Sequence, residues 1–443
     1  MVRNKNPHAT AHLMFILLFW GGLFTPLKSQ TDLTLREAIE IGIKNNFQIQ
    51  ILQANEQIAE NNNNPANAEL LPTVSTTGSY SFSSNNTDQQ FFNGDSRSAS
   101  GAGSRNARAS VDASWMIFDG FRREALQEAL QLEIERTSEE TKAEILSLVE
   151  QINIAYYQIG QIQEQIRLTN RSIDLNQAIL NLALQKQRIG TGSESEVLQA
   201  RSQLNGDSIL LIGQQGDLKS AKNSLNRIIN QPLDIDISVL DTVILDVLPN
   251  KEEMIQEALS RNPDLILAKL DQLNTAVQIK SIKSVLYPKL SLGASYVYNF
   301  SRAEVGFLLS NQTYGPSTQL TLNYDIFSGR NLKKELQNVD LIQDNLVKNQ
   351  QRISWEIESQ ISEYYINYYN LADLRDAESR NIEIAEKNSL LANELYRQGR
   401  ITSFEVREAV LREIQARNRL VLNTYQMKFI EIQLKAIAGI LDA

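Results

Sequence analysis

The chain is written twice. Arg188-Ile-Gly-Thr-Gly-Ser-Glu-Ser-Glu-Val-Leu-Gln-Ala200 returns as Arg397-Gln-Gly-Arg-Ile-Thr-Ser-Phe-Glu-Val-Arg-Glu-Ala409, with Arg, Gly, Glu, Val and Ala at one offset of 209 residues. Ile117-Phe-Asp-Gly120 returns as Ile326-Phe-Ser-Gly329 at that offset, and Leu71-Pro72 returns as Tyr287-Pro288 at 216. A duplication of this size restricts the fold to two copies of one unit. Each copy reads as a helix, two strands, a very long helix, a tight tip and a further helix.

The helix signals come first. Thr34-Leu-Arg-Glu37 is a capping box. The helical pattern after it runs to about Glu60, and Asn61-Asn-Asn-Asn64-Pro65 weakens it. From Phe121 to Arg188 there is no proline and a single glycine, Gly160, and apolar residues recur at three and four. Such a run predicts a helix about 100 Å long, hence a coiled coil or helical array. A second run of similar length ends at Arg397. Gly190 and Gly399 can end these helices in the left-handed conformation. Ser193, and Thr402 or Ser403, can cap the helices that follow.

Between Pro72 and Gly120 the period changes to two. Thr73, Ser75, Thr77, Ser79, Ser81 and Ser83 alternate with Val74, Gly78, Tyr80 and Phe82. Ala107, Ala109, Val111, Ala113, Trp115 and Ile117 alternate with Arg108, Ser110, Asp112 and Ser114. The second copy repeats this around Tyr296 and Tyr298, and again around Leu320. One hydroxyl-rich face and one apolar face, over 10–13 residues, is the pattern of a strand between lipid and water; a soluble sandwich is the plainer alternative. The reading divides the chain as follows. Residues 1–29 are a signal segment. A first repeat (30–231) has strands at about 72–84 and 107–118, a polar loop at 84–106 and a tip at 188–194. A connector covers 232–250. A second repeat (251–443) has strands at about 288–301 and 317–327 and a tip at 397–403.

The signal segment has a basic start (Arg3, Lys5), an apolar run from Leu13 to Phe24 and a small residue, Ser29, before the expected cleavage; about 12 apolar residues are too few to span a bilayer as an anchor. No other stretch predicts a transmembrane helix. Both histidines, His8 and His12, lie in this segment, and the chain has no cysteine. The remainder therefore lacks the groups for usual zinc sites, thiol nucleophiles, Ser-His-Asp triads and disulfides. No cofactor and no catalysis are expected. The formal charge is −9 overall and −12 without the three bases of residues 1–29, which argues against nucleic acid as a partner.

Four strands cannot close a barrel, and an open edge in lipid is not viable. Three copies would supply twelve strands, enough for a water-filled lumen. In this set of features the chain resembles the TolC family of outer-membrane efflux proteins. The resemblance rests on the Leu-Pro/Tyr-Pro strand starts, the Ile-Phe-Asp/Ser-Gly strand ends and the two tips with Gly-x-x-x-x-x-Glu-Val-x-x-Ala. It implies a mainly α protein with a transmembrane β part: a homotrimer whose 12-stranded β-barrel in outer-membrane lipid continues as a periplasmic α-helical barrel. It implies a passive exit duct that docks by its tips to a periplasmic adaptor (membrane fusion) protein and an inner-membrane efflux or ABC transporter.

The resemblance also assigns residues. Glu405 and Glu408 match acidic positions that line the closed entrance, and Glu196 is the first-copy counterpart of Glu405. Tyr396 matches a tyrosine that latches neighbouring tip helices. Ile401 stands at the partner arginine position, leaving Arg400 or Arg397 to substitute. Arg188, Gly190, Thr191, Gly399 and Ile401 are the expected adaptor contacts. The pairs Tyr156-Tyr157, Tyr364-Tyr365 and Tyr368-Tyr369 read as helix packing, and Asp112, Arg108, Lys289 and Asp325 as lumen-facing charges. The rival reading is a periplasmic coiled-coil scaffold without a pore, which leaves the alternating strands unused.

Overall fold

A computed structural model describes residues 31–240 and 243–441; the expected signal segment lies outside the described residues. In chain order the elements are β1 (Thr31–Leu33), α1 (Leu35–Asn45), α2 (Phe47–Asn62), β2 (Thr73–Gln90), β3 (Ser96–Phe118), α3 (Arg122–Arg188), α4 (Glu194–Ile228) and β4 (Ile237–Val239). The second copy follows as α5 (Lys251–Arg261), α6 (Pro263–Lys283), β5 (Lys289–Ala303), β6 (Ser310–Asn323), α7 (Asn331–Arg397) and α8 (Ser403–Ile437). α3 and α7 have 67 residues each, and α4 and α8 have 35 each. Elements before each hairpin are offset by 216 and those after it by 209, so the repeats differ in length only within the hairpins.

The single helix expected from Leu35 to Glu60 is two helices. Asn46 is extended; its N–H closes α1 on the Gly42 carbonyl and its side chain caps α2 by accepting from Ile49 N–H. Asn262 serves α5 and α6 in the same way. Each strand-to-long-helix joint is made by two successive left-handed residues, Gly120 and Phe121 in one copy and Gly329 and Arg330 in the other. The chain therefore reverses from sheet to helix with almost no loop.

The four long strands form one antiparallel sheet in the order β2-β3-β5-β6. Its register carries the two faces through all four strands. One face has the rows Gly78–Ala109–Tyr298–Tyr314 and Tyr80–Ala107–Phe300–Gln312; the other has Ser75–Asp112–Ser295–Ser317 and Ser79–Arg108–Asn299–Thr313. Residues 84–106 are not a loop. β2 and β3 stay paired to Gln90 and Ser96 and are closed by a five-residue turn in which Phe91 N–H donates to Asp95 O (2.7 Å). Periodicity hides this hairpin because both its faces are polar, and side chains add to the ladder: Ser83 and Ser104 hydroxyls lie 2.8 Å apart, and Asn86 Oδ1 accepts from Gly101 N–H (2.8 Å). It projects beyond the shorter β5–β6 hairpin. β6 likewise begins at Ser310 and ends at Asn323, so Asp325 lies past the strand.

The helices leave the sheet at its other end. α3 packs on α4, α6 and α8, and α7 packs on α6 and α8. Midway along, the parallel pair β1–β4 and the short helices form apolar clusters on α3 and α7. Two tyrosines tie them down. Tyr156 of α3 donates to Leu33 O (2.8 Å), and Tyr365 of α7, its counterpart at 209, donates to Pro249 O (2.7 Å), the counterpart of Leu33 at 216. Nearer the tips, Glu413, only 3 % exposed, accepts from Arg171 of α3 (3.1 Å) and Arg417 (2.9 Å).

Candidate functional site

The two tips sit together at the far end of the helices. In the first, α3 ends where Thr191 and Gly192 N–H both donate to Lys186 O, and Ser193 caps α4 by accepting from Glu196 N–H. In the second, Arg400 N–H donates to Leu395 O, and Thr402 with Glu405 forms a reciprocal capping box. Gly190 (φ 78°) and Gly399 (φ 73°) are left-handed, and neither is crowded, so backbone conformation alone calls for glycine there. Arg188, Gly190, Thr191 and Gly399 are exposed. Ile401 differs: its side chain is half-buried against the tip's apolar cluster.

That cluster joins both tips. Ile179, Leu180 and Ala183 of α3, Val197 and Ala200 of α4, Ala392 of α7, and Val406, Ala409 and Val410 of α8 surround Tyr396, which is 1 % exposed. Lys186, to which no sequence motif points, places its ammonium 3.6 Å from the centroid of the Tyr396 ring and donates to Tyr396 O (3.0 Å). Burial, with a smaller contribution from the Glu196 carboxylate, raises the Tyr396 phenol above its ordinary pKa. The hydroxyl has no hydrogen-bond partner among the described residues. Arg397 and Arg400 are exposed, and neither has an ion-pair partner among the described residues.

Glu405 and Glu408 line one groove between α7 and α8 with Leu391, Leu395 and Phe404. They are not equivalent. Thr402 N–H, then its hydroxyl, holds the Glu405 carboxyl below the usual range, so its charge persists at the helix N-terminus. Glu408 pairs with Arg412 (3.0 Å), which offsets its charge. Glu196 is half-buried beside Tyr396 and has no ion pair among the described residues. Sequence spacing put Glu405 and Glu408 on one face; the signal that the first is also a cap is the Thr402-x-x-Glu405 spacing, the same as Thr34-x-x-Glu37.

At the other end, the apolar face is bounded near the helices by aromatic groups. Phe118, Phe121 and Tyr287 stack edge to face at 5.3 and 5.6 Å, and Trp115 donates to Leu70 O (3.1 Å). Toward the hairpins it ends in Tyr80, Phe300, Tyr298 and Tyr314. The opposite face is hydroxyl-lined, with Asp112 accepting from Ser110 (2.6 Å) and Arg108 one row further. Lys289 opens β5 on this hydroxyl face, beside Ser291. No helix among the described residues is long and apolar enough to cross a membrane, and no group of three or more His, Cys, Asp or Glu there is placed to hold a metal.

The family model described as outer membrane efflux protein matches residues 38–231 and 254–440, one match per repeat. The fold is similar to the outer membrane protein VceC of Vibrio cholerae, with 16 % identity, TM-score 0.74 and 91 % of this chain and 96 % of that one covered. It is similar to CusC, with 18 % identity, TM-score 0.73 and coverage of 91 and 92 %. It is also similar to the MtrE outer membrane channel of Neisseria gonorrhoeae in its open state, with 17 % identity, TM-score 0.72 and coverage of 92 and 89 %. No curated protein sequence matches significantly.

Proposed function

Because the chain belongs to the outer membrane efflux protein family, a family of channels rather than enzymes, we propose that it is the passive exit duct of a tripartite efflux or secretion system. Three copies join their sheets into a twelve-stranded barrel in the outer membrane, and their long helices continue it through the periplasm. The sheet supports this through its two free edges, β2 and β6, which lipid would leave unsatisfied.

The observation that carries the reading is a matched bump and hole. Within one chain α8 lies on α3, and the Tyr425 hydroxyl fills the space over Gly160, 2.9 Å from where a Cβ would stand. Carried across the 209-residue repeat, the partners exchange: Gly160 corresponds to Tyr369 on α7, and Tyr425 to Gly216 on α4. Tyr369 is exposed, and among the described residues nothing lies within 4 Å of a Cβ at Gly216. Setting α7 of one copy on α4 of the next repeats the α3–α8 contact with bump and hole reversed. Exposed Ile366, the counterpart of buried Tyr157, would be covered by the same step. Such a head-to-tail contact closes into a ring when its rotation returns to the first copy, which a threefold duct requires.

The test is a size swap. Tyr369→Gly and Gly216→Tyr are each expected to lower the yield of cross-linkable trimer and of ion conductance in planar bilayers. The double variant should regain both. If its losses merely add, α7 does not meet α4 in this way. In the assembled duct, Glu405, Glu408 and Glu196 ring the periplasmic aperture and draw cations, Arg400 or Arg397 reaches the neighbouring tip, and Arg188, Gly190, Thr191, Gly399 and Ile401 meet the adaptor of an inner-membrane efflux or ABC transporter. Site-directed cross-linking from Thr191 and Arg400 to a co-expressed adaptor tests the docking; cross-links confined to other duct copies would remove it.

A further inference from the structure

We infer that Arg105 and Arg302 form a binding site for phosphate groups of lipid headgroups in the outer leaflet. Register carries the argument. Arg105 pairs with Phe82 on one side and with Arg302 on the other, and Arg302 pairs with Ser310. Pairing is regular between Ser104 and Trp115, so Arg105 shares a face with Ala107, Val111 and Trp115. Arg302 shares that face with Phe300, Tyr298, Tyr296 and Leu292. Two guanidinium groups therefore stand side by side on the apolar face, not on the hydroxyl face.

Their height fits a headgroup. On β5 the apolar face runs from Leu290 to Phe300, ten steps of about 3.4 Å along the strand. Tilted by about 40°, that is close to the ~25 Å apolar band of an outer-membrane barrel. Arg302 is the next residue outward on that face, on the side away from the helices. The row Phe82–Arg105–Arg302–Ser310 thus lies where acyl chains give way to headgroups.

The pair is also unbalanced. Like charges directly opposite on neighbouring strands repel. Among the described residues no carboxylate lies within ion-pair reach of either group. The acid one row further out, Glu304, accepts from Gly103 N–H (2.8 Å). Arg105 leans on the Phe82 ring (5.9 Å to the centroid), which leaves its fork exposed. A phosphate bridging two forks would turn the repulsion into charge-assisted hydrogen bonds.

The test uses the full assembled protein in neutral detergent and native mass spectrometry. The probes are a bisphosphorylated glucosamine glycolipid, its dephosphorylated form and inorganic phosphate. The phosphorylated lipid should be retained about tenfold more than the dephosphorylated one. Arg105→Gln with Arg302→Gln should bring that ratio near one, and Arg302→Gln alone should lower it severalfold. Arg108→Gln, on the hydroxyl face, should leave it unchanged. A ratio near one in the wild type, or a ratio preserved in the double variant, overturns the site. Displacement of the lipid by an equal concentration of inorganic phosphate overturns its assignment to headgroups. Bilayer conductance of the same preparations reports the duct separately, so failure of one reading is not failure of the other.

Discussion

Replacing Tyr396 distinguishes two ways of holding a tip closed. A hydroxyl latch would need the phenol to reach a partner, and here it is buried without one and has no surface to offer a neighbouring copy. The ring is what binds: it completes the apolar cluster joining α3, α4, α7 and α8, with Lys186 3.6 Å from its centroid. Tyr396→Phe removes an unsatisfied polar atom and should be neutral or stabilising by up to about 1 kcal/mol. Tyr396→Ala opens a cavity worth about 3–5 kcal/mol and forfeits a cation–π contact of about 1 kcal/mol. If α3 and α7 part at the tip on opening, even 3 kcal/mol per chain shifts the open-to-closed ratio about a hundredfold. Single-channel recording measures this ratio. The phenylalanine variant should match the wild type, the alanine variant should dwell open, and Lys186→Met should fall between. A Tyr396→Phe channel as open as Tyr396→Ala would refute the ring argument and restore the hydroxyl latch.

Further outcomes follow from the same geometry. Glu405→Gln keeps a residue able to complete the capping box, so it should lower cation selectivity without loosening α8; Glu408→Gln should do less, because Arg412 already offsets that charge. Reversal potentials under a salt gradient read both, and equal effects would contradict the difference. Gly120→Ala would place a Cβ 2.3 Å from Ser284 O at φ 75° and should prevent correct folding, whereas Gly329→Ala, with nothing within 4 Å among the described residues, carries only the strain of φ 66° and should cost about 1–2 kcal/mol; thermal unfolding of the two variants compares them. Asp246 is held below its usual pKa chiefly by the hydrogen bond from Lys435, then by Glu431. A lowered folded pKa adds stability above the unfolded value and loses it as pH falls, so the connector should loosen from α8 below about pH 4. Hydrogen exchange at Ile244–Leu248 should show this, and Asp246→Asn should abolish the pH dependence.

What was legible in the sequence depended on which interactions leave a periodic trace. The long helices, the tips and the middle of the sheet buries or alternates apolar residues, so period and offset located them. The β2–β3 extension left none: Ser84–Gln90 and Ser96–Gly103 pair through backbone and through Ser and Asn side chains, with water on both faces. The α1–α2 break was hidden because one residue, Asn46, ends one helix and starts the next without a loop. At the tips, spacing grouped Glu405 with Glu408 and matched Tyr396 to a latch. The cap at Glu405 was legible, since Thr402-Ser-Phe-Glu405 repeats the spacing of Thr34-Leu-Arg-Glu37, but nothing in the spacing signalled that Lys186, 210 residues away, covers the tyrosine.

The repeat itself explains why the halves diverge where they do. Positions whose partners lie inside the chain in both copies stay alike: Tyr156 and Tyr365 each bond the carbonyl that opens their own repeat. Positions that face the same chain in one copy and an open surface in the other are free to exchange roles, as Gly160 with Tyr425 does against Tyr369 with Gly216. Identical halves would make the contact inside a chain and the contact between chains interchangeable, and repeats could then pair out of order. Reversing bump and hole makes the two contacts mutually exclusive, since Tyr369 would face Tyr425 if α7 took the place of α3. In the proposed ring, a duplicated unit would gain its order from such differences, and they lie on α4 and α7, where the single chain leaves Gly216 and Tyr369 exposed.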